Sequence, residues 1–270
     1  MDIELNGDVP LRAGDRIRYL WRNARRNMAT LLRGPSTRPF IPNLREADAV
    51  IAGQSPGRLL AELFIDTELP KLLPIGSLDV VELGCGSGRM VFRLAKLGYR
   101  GRYTGVDVQD RFRHDHPVDF PFQVNCRIVD AHRFEPSGPI DFMISQSTLE
   151  HIAQDGELID RLPAFFKRGG LELHVVPSGA ALLAYLWHGY RQYTPAALAS
   201  RFGPRIEIVR LGGFASYMLH VVFITGPEMI LHVSLRKAAP RVYRALLRLA
   251  LRIDRAFPVC PTAYAVIRRH

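Results

Sequence analysis

The sequence predicts an α/β fold, a three-layer sandwich built on a mostly parallel sheet, with a basic amphipathic helix at each end. Three observations lead to this prediction. Short apolar runs alternate with helical patterns, a glycine-rich turn follows one of these runs, and arginines are concentrated towards both ends of the chain. The chain has 270 residues, 47% of them apolar, which is enough for a full α/β core with appendages.

Seven short apolar segments are expected to form the strands of the sheet. They lie near residues 79–83, 103–107, 124–129, 140–145, 171–176, 206–211 and 217–225. Because Gly212 and Gly213 separate the last two, we expect these two to form an antiparallel hairpin that closes the sheet. An amphipathic pattern over residues 55–73 predicts a helix beside the ligand site.

The turn after the strand at 79–83 is the most informative part of the chain. The strand has Glu82 near its end and is followed by three glycines at alternate positions, Gly84, Gly86 and Gly88. Glycine has no Cβ, so such a turn adopts positive φ and lets a ligand lie on its backbone. The helical pattern that follows offers free N–H groups to a carboxylate or phosphate. A dinucleotide-binding turn would have a glycine at the sixth position, where this chain has Arg89.

The spacing Glu82-x-Gly84-x-Gly86-x-Gly88 resembles motif I of the class I S-adenosylmethionine-dependent methyltransferases. The resemblance extends over roughly residues 55–225 and includes four later segments. These are the acid-ending strands at 103–108 and 127–131, the run 140–152 with its Leu-Glu-His ending, the Gly-Gly turn at 169–177, and the helix start at 193–198. The resemblance implies a Rossmann-like, seven-stranded sheet and S-adenosyl-L-methionine as the cofactor.

The resemblance also implies which residues hold that cofactor. Asp107 would accept hydrogen bonds from the ribose hydroxyls, since an acid about 20 residues after the turn has this role in adenosine-binding folds. Asp130 would accept from the adenine amino group. The complete set of cofactor-binding residues that we expect is Glu82, Gly84, Cys85, Gly86, Gly88, Asp107, Val108, Asp130, Ala131 and Ser145.

His151 is the expected catalytic residue, a base that removes the proton from an oxygen nucleophile. The alternative is that Glu150 and His151 only cap and orient the following helix. Around His188, the side chains of Tyr190, Arg191 and Tyr193 are expected to line the acceptor pocket, with ordinary packing as the alternative. His114 and His116 lie near acids but lack further ligands, so we expect no metal site there or elsewhere.

Positive charge is concentrated in two arms outside the expected methyltransferase domain at 46–235. Residues 12–45, within an N-terminal arm and linker at 1–45, hold nine arginines and one acid, Asp15. Residues 236–270 hold nine lysines and arginines and one acid, Asp254. The net charge of the whole chain is +10, so the remainder is mildly acidic.

Each arm has the pattern of a helix with an apolar stripe beside basic residues. The stripe of the first arm consists of Ile17, Leu20, Trp21, Ala24, Met28 and Leu31. That of the second consists of Val242, Leu246, Leu249, Ile253 and Phe257, opposite Arg241, Arg244, Arg248, Arg252 and Arg255. We expect these arms to bind an anionic membrane face. The alternative is that the stripes pack on the fold or against a second copy of the chain.

The expected function is therefore S-adenosylmethionine-dependent O-methylation of a small-molecule or lipid-linked acceptor. A non-catalytic scaffold anchored by its basic arms is the alternative. RNA or DNA is disfavoured, since the Ser145-Gln146-Ser147-Thr148 segment lacks the proline pair usual in methylation of base amino groups. Three cysteines without metal spacing, and no long apolar segment, predict a cytoplasmic protein. The two basic arms predict that it is peripheral on the inner membrane face.

Overall fold

The computed structural model describes residues 5–44 and 53–270, which form one sheet with helices on both faces. Eight strands build the sheet. They are Arg38–Phe40 (β1), Ser77–Leu83 (β2), Arg100–Asp107 (β3), Phe122–Ile128 (β4), Ile140–Gln146 (β5), Phe166–Pro177 (β6), Ile206–Leu211 (β7) and Ala263–Arg269 (β8). The α/β prediction is therefore confirmed, with one strand more than expected.

Eight α-helices accompany these strands in the described residues. They are Ala13–Thr30 (α1), Pro56–Leu72 (α2), Arg89–Lys96 (α3), Asp155–Arg161 (α4), Pro195–Phe202 (α5), Phe214–His220 (α6), Leu235–Ala238 (α7) and Pro240–Ala256 (α8). Shorter turns are 3₁₀-helical at Ala131–Arg133, Leu149–His151, Leu162–Phe165 and Gly179–Tyr185, and Val221–Ile230 is π-helical. None of the helices in this part of the chain is long and apolar enough to cross a bilayer.

The strand order is β1-β7-β8-β6-β5-β2-β3-β4, and β8 alone runs antiparallel to its neighbours. Parallel pairing of β2 with β3 and β5 places Leu83 beside both Val106 and Ser145. The carboxyl ends of these strands therefore meet at one edge, where ligands bind in open α/β sheets. Two apolar clusters fill the space between the sheet and the helices.

The predicted hairpin of residues 206–211 and 217–225 is wrong. The first segment is β7, but the second lies in α6 and the π-helical turn, and the antiparallel strand is β8 at the end of the chain. An apolar run of this kind fits a buried helix as well as a strand, because periodicity alone does not separate the two. The expected boundary at residue 236 is also wrong, because β8 lies inside the sheet, between β6 and β7.

Helix α8 buries a different face from the one that its sequence predicts. Its buried side chains are Tyr243, Leu247, Ala250, Leu251 and Asp254, which pack towards α6 and the core. At 100° per residue this face is turned by about 100° from the predicted apolar stripe. Most of that stripe is exposed, including Val242 (53%), Leu249 (51%) and Phe257 (66%).

Helix α1 likewise turns a polar face inwards and leaves half of its apolar stripe exposed, namely Ile17, Trp21 and Met28. Tyr19, Asn23 and Asn27 are buried, and the Tyr19 hydroxyl donates to the carbonyl of His188 at 2.8 Å. The Asn27 side-chain amide donates to the carbonyl of Gly179 at 3.2 Å. In contrast, Trp21 in the stripe is 70% exposed. Polar hydrogen bonds, not the apolar stripe, therefore attach this helix to the fold.

Candidate active site

The turn between β2 and α3 adopts the conformation that its glycines predict. Gly84, Gly86 and Gly88 have φ values of 70°, 50° and 72°. A Cβ on Gly84 would lie 2.2 Å from Oγ1 of Thr148, and one on Gly88 would lie 2.5 Å from the ring of Phe112. A Cβ on Gly86 would meet no atom within 4 Å. Protein packing thus fixes two glycines, while the third leaves open space for a ligand.

Asp107 ends β3 and supports the same turn. One of its carboxylate oxygens accepts the N–H of Gly86 at 2.8 Å, and the other accepts the N–H of Gln109 at 3.0 Å. A carboxylate has about four lone-pair sites, so acceptor capacity remains for ribose hydroxyls. The neighbouring Val108 is 65% exposed. The loop, the open position at Gly86 and this acid fit the adenosine part of S-adenosyl-L-methionine.

Glu82 lies below the turn and is buried. The hydroxyl of Tyr103 donates to its carboxylate. Burial raises the pKa of Glu82 to about 8, the charge of Asp107 acts in the same direction, and the Tyr103 hydrogen bond opposes them. A large fraction of Glu82 is therefore protonated near neutral pH. In that state its carboxyl group can donate a hydrogen bond as well as accept one.

The remaining cofactor candidates differ in what their side chains contact. Asp130 is exposed and caps the 3₁₀ turn that contains Ala131, accepting the N–H of His132 at 2.8 Å. Ser145 is fully buried, with its hydroxyl 2.7 Å from Nδ1 of His174. The other nitrogen of His174 lies 2.7 Å from Glu172. The Ser145 hydroxyl therefore belongs to a polar network inside the sheet.

A cavity of about 980 Å³ opens beside the turn. Glu82, Gly84, Cys85 and Gly86 line one side of it, and residues that follow β5 and β6 line another. The residues on that second side include Gln146, Ser147, Tyr185, Leu186 and His188, with His220 and Arg236 from the C-terminal third of the chain. Of the histidines that line this cavity, His220 has a pKa lowered to about 4, chiefly by burial. The sequence does not predict that His220 and Arg236 line a cavity, because the apolar pattern at 217–225 predicts a strand there.

His151 lies in a cluster of charged and titratable groups next to His188. Its Nδ1 is 2.6 Å from Oδ2 of Asp8, and its ring is 4.6 Å from the ring of His188, centroid to centroid. Burial by itself lowers the pKa of His151, but the hydrogen bond with Asp8 and the charges of Glu150 and Asp8 outweigh burial and raise it. Asp8 was missed from the sequence because no local pattern links it to a residue more than a hundred positions away.

Tyr190, Arg191 and Tyr193, the three residues expected to bind the acceptor, do not all lie where the sequence predicts. Arg191 and Tyr193 are fully buried, and both contact the carboxylate of Asp155, which accepts from the Tyr193 hydroxyl at 2.8 Å. Their expected position in the pocket is therefore wrong, because these side chains fasten the β6 to α5 connection to α4. Tyr190 is half-buried, and its N–H donates to the carbonyl of Glu150 at 2.7 Å.

Comparisons with known proteins show what the domain and the fold are similar to. Residues 80–170 match the family model described as a methyltransferase domain. A ubiquinone biosynthesis O-methyltransferase of Caulobacter vibrioides is 25% identical over 103 residues, which are 36% of this chain and 40% of that protein. A protein of the same name from Methylobacterium sp. is 32% identical over 91 residues, 34% of this chain and 30% of that protein.

The fold resembles that of a solved methyltransferase structure over most of both chains. The plantazolicin methyltransferase BpumL in complex with SAH has a TM-score of 0.50 and 15% identity, and the alignment covers 95% of this chain and 98% of that one. Residues 80–170 thus form a methyltransferase domain, and the fold is that of the class I S-adenosylmethionine-dependent methyltransferases. The chain spans less than half the length of the ubiquinone O-methyltransferases that it matches.

Proposed function

We propose that this chain transfers a methyl group from S-adenosyl-L-methionine to an oxygen of a small-molecule acceptor or of a glycan or other group carried by a lipid, at a membrane surface. One observation carries the proposal. The glycine-rich turn and His188, which contacts His151, line the same cavity, so a methyl donor and a proton-removing cluster can meet there. Two of the relatives are O-methyltransferases by name, which supports oxygen as the accepting atom.

The cofactor supplies an electrophilic methyl group when bound, so the protein needs mainly to align the reacting atoms and to take up a proton. Alignment of a nucleophile at about 3–3.5 Å supplies several kcal/mol. The cluster around His151 is the proton acceptor in this proposal, with Asp8 holding one imidazole nitrogen in place. Arg191 and Tyr193 act indirectly, because they hold the segment from which His188 reaches the cavity.

The membrane part of the proposal comes from the exposed stripes of α1 and α8. Met28 on α1 is 78% exposed and Leu249 on α8 is 51% exposed, and arginines lie beside both stripes. Large apolar side chains grouped next to arginines are typical of helices that lie in the interface of an anionic bilayer. Each arginine near such a surface contributes about 1 kcal/mol. An acceptor attached to lipid would then reach the cavity from the surface that the arms bind.

The reaction is tested with purified full-length chain and methyl-labelled S-adenosyl-L-methionine, incubated with metabolite extracts and with lipid–glycan extracts. We expect calorimetry to show binding of the cofactor and label to enter a chloroform-soluble or small-molecule product. His151→Ala should lower turnover by roughly 10²–10⁴-fold with cofactor affinity nearly unchanged. His114→Ala, which changes an exposed histidine in a loop, is the control and should retain full activity.

Three outcomes would contradict the proposal. Binding of a nicotinamide dinucleotide with no binding of S-adenosyl-L-methionine would overturn the cofactor. Cofactor binding without transfer to any extract would favour the scaffold alternative. Equal loss of activity, cofactor binding and melting temperature in His151→Ala would give His151 a structural role only.

A further inference from the structure

The geometry points to a divalent transition-metal site formed by Asp8, His151 and His188, with Glu150 as the carboxylate behind both imidazoles. The catalytic part of this inference rests on the proposed function, because the ion would act on the acceptor oxygen. The binding part does not. The sequence does not predict this metal site, since its residues come from three distant parts of the chain.

The three ligand residues lie close enough together to bind one ion after small side-chain movements. One donor atom from each of Asp8, His151 and His188 can be chosen so that all three lie within 4.8 Å of one another. Oδ2 of Asp8 is 2.6 Å from Nδ1 of His151, and Oδ1 of Asp8 is 3.7 Å from Nδ1 of His188. The Nδ1 atoms of both imidazoles thus face the same carboxylate. Side-chain movements of about an ångström would bring all three to the 2.0–2.2 Å that an ion such as Zn²⁺ requires.

Glu150 is the independent observation that supports a ligand here. Its side chain has no solvent exposure, and neither carboxylate oxygen has a hydrogen-bond partner among the described residues. A buried carboxylate without partners is costly and therefore calls for an explanation. Oε1 of Glu150 lies 3.6 Å from Nε2 of His188 and 3.9 Å from Nε2 of His151. Glu150 thus lies on the Nε2 side of both rings, whereas Asp8 lies on their Nδ1 side.

This arrangement matches the way proteins orient metal-binding histidines. A histidine that binds a metal through one nitrogen donates its other N–H to a carboxylate or carbonyl, which fixes the tautomer and makes the imidazole a better ligand. When an ion takes Nδ1 of His151, the hydrogen moves to Nε2 and Glu150 becomes its acceptor. The ion also balances the two carboxylates, so the group of two acids and two neutral imidazoles becomes electrically neutral.

Two imidazoles and one carboxylate favour Zn²⁺, Mn²⁺, Fe²⁺ or Co²⁺ over Mg²⁺ or Ca²⁺, which prefer oxygen ligands. Such a set leaves coordination positions open. The side chains of Asp8, His151 and His188 are each about one-third exposed, and His188 lines the cavity, so a hydroxyl of the acceptor can reach these positions. The ion would lower the pKa of that hydroxyl and so supply the activation that the proposed function assigns to this cluster.

Metal binding is tested on the full chain after treatment with a chelator, with no acceptor present. We expect calorimetry with Zn²⁺ and Co²⁺ to show one site per chain, and bound Co²⁺ to show visible absorption bands of a nitrogen-ligated ion. His188→Ala and Asp8→Asn should each weaken binding at least tenfold and remove or shift the bands. Glu150→Gln should keep the site but weaken it by about 10–100-fold, the usual effect of losing a carboxylate behind the ligands.

His114→Ala is the matched control, because it removes an exposed histidine elsewhere and should leave binding and bands unchanged. Circular dichroism of each variant checks that the fold is kept. Absence of a one-to-one site in the wild type, or the same affinity in His188→Ala and Asp8→Asn, would overturn the inference. Methyl transfer that persists at full rate with chelator would overturn its catalytic part and leave the proposed function intact. Metal binding without any methyl transfer would overturn the proposed function and leave the metal site intact.

Discussion

Gly84 and Gly86 have similar backbone conformations but different surroundings. A side chain at Gly84 should therefore affect mainly the stability of the fold, and one at Gly86 mainly ligand binding. Both have positive φ, so any side chain at either position costs about 1–2 kcal/mol. At Gly84 the added Cβ would also collide with Thr148, whose hydroxyl donates to the carbonyl of Leu83 at 3.1 Å. At Gly86 it would point into open space beside the cavity wall.

We therefore expect Gly84→Ala to lower the free energy of unfolding by about 2–5 kcal/mol, the sum of backbone strain and overpacking. Gly86→Ala should cost only the strain but weaken binding of S-adenosylhomocysteine at least tenfold. Chemical denaturation and calorimetry on both variants measure the two effects. Similar stability losses in both variants would show that Thr148 does not constrain Gly84. Unchanged cofactor affinity in Gly86→Ala would show that the open space at Gly86 is not part of the ligand site.

Helix α8 has a buried aspartate, Asp254, on the same face as its buried apolar side chains. Asp254 is nearly buried, and its two oxygens accept the N–H groups of Ala215 and Ser216 at 2.8 and 3.1 Å. These N–H groups belong to the first turn of α6, where a helix has donors without intrahelical partners. The pKa of Asp254 is raised, chiefly by burial, although these hydrogen bonds oppose the change. The aspartate of α8 thus caps α6 from a neighbouring helix.

We expect Asp254→Ala to lower the free energy of unfolding by about 1–2 kcal/mol, the usual cost of losing a helix cap. Asp254→Asn keeps a side-chain oxygen and should lose less. Asp160→Ala, which changes an exposed aspartate on α4, should have almost no effect. Urea denaturation of the four proteins measures this. If Asp254→Ala were as stable as the Asp160 control, the cap would not contribute to the fold.

The whole molecule combines an acidic core with two basic helices whose apolar stripes face solvent. The net charge of the chain is +10, and most of the excess lies in residues 12–45 and 236–270. The stripe of α1 is exposed because buried polar side chains attach this helix to the 3₁₀ turn at Gly179–Tyr185. The stripe of α8 is exposed because its other face fills the core. The exposed members of the two stripes, among them Trp21, Met28, Leu249 and Phe257, do not pack in the fold, and the proposed membrane binding would use them.

We expect the chain to co-sediment with anionic vesicles and not with neutral ones, and to be released by 1 M salt, where the Debye length falls to about 3 Å. Changing Arg244, Arg248 and Arg252 together to Glu should abolish binding. The control changes three exposed arginines outside the two arms, Arg113, Arg133 and Arg168, to Glu. This change should weaken vesicle binding less. Binding to neutral vesicles would assign the stripes to insertion that does not depend on lipid charge. Absence of binding, with a dimer in solution, would assign them to a contact with a second copy.

The sequence by itself determined those features in which a few neighbouring residues decide the conformation. The turn at 84–88 follows from glycines at fixed spacing, the helix Pro56–Leu72 from its apolar pattern and the serine that caps it, and the parallel strands from short apolar runs. For the same reason the cofactor class could be read from the chain, since its adenosine lies against that local turn and the acid after the next strand.

The tertiary structure decided everything that depends on which distant segments pack together. The antiparallel strand is Ala263–Arg269 rather than 217–225, because strand pairing is a long-range choice between two apolar runs of similar length. The same holds for the buried face of α8, for Arg191 and Tyr193, which bind Asp155, and for the cluster of Asp8 with His151 and His188. Local patterns carry no information about such partners, because the free energy that selects them comes from burial and hydrogen bonds formed only when the chain is folded.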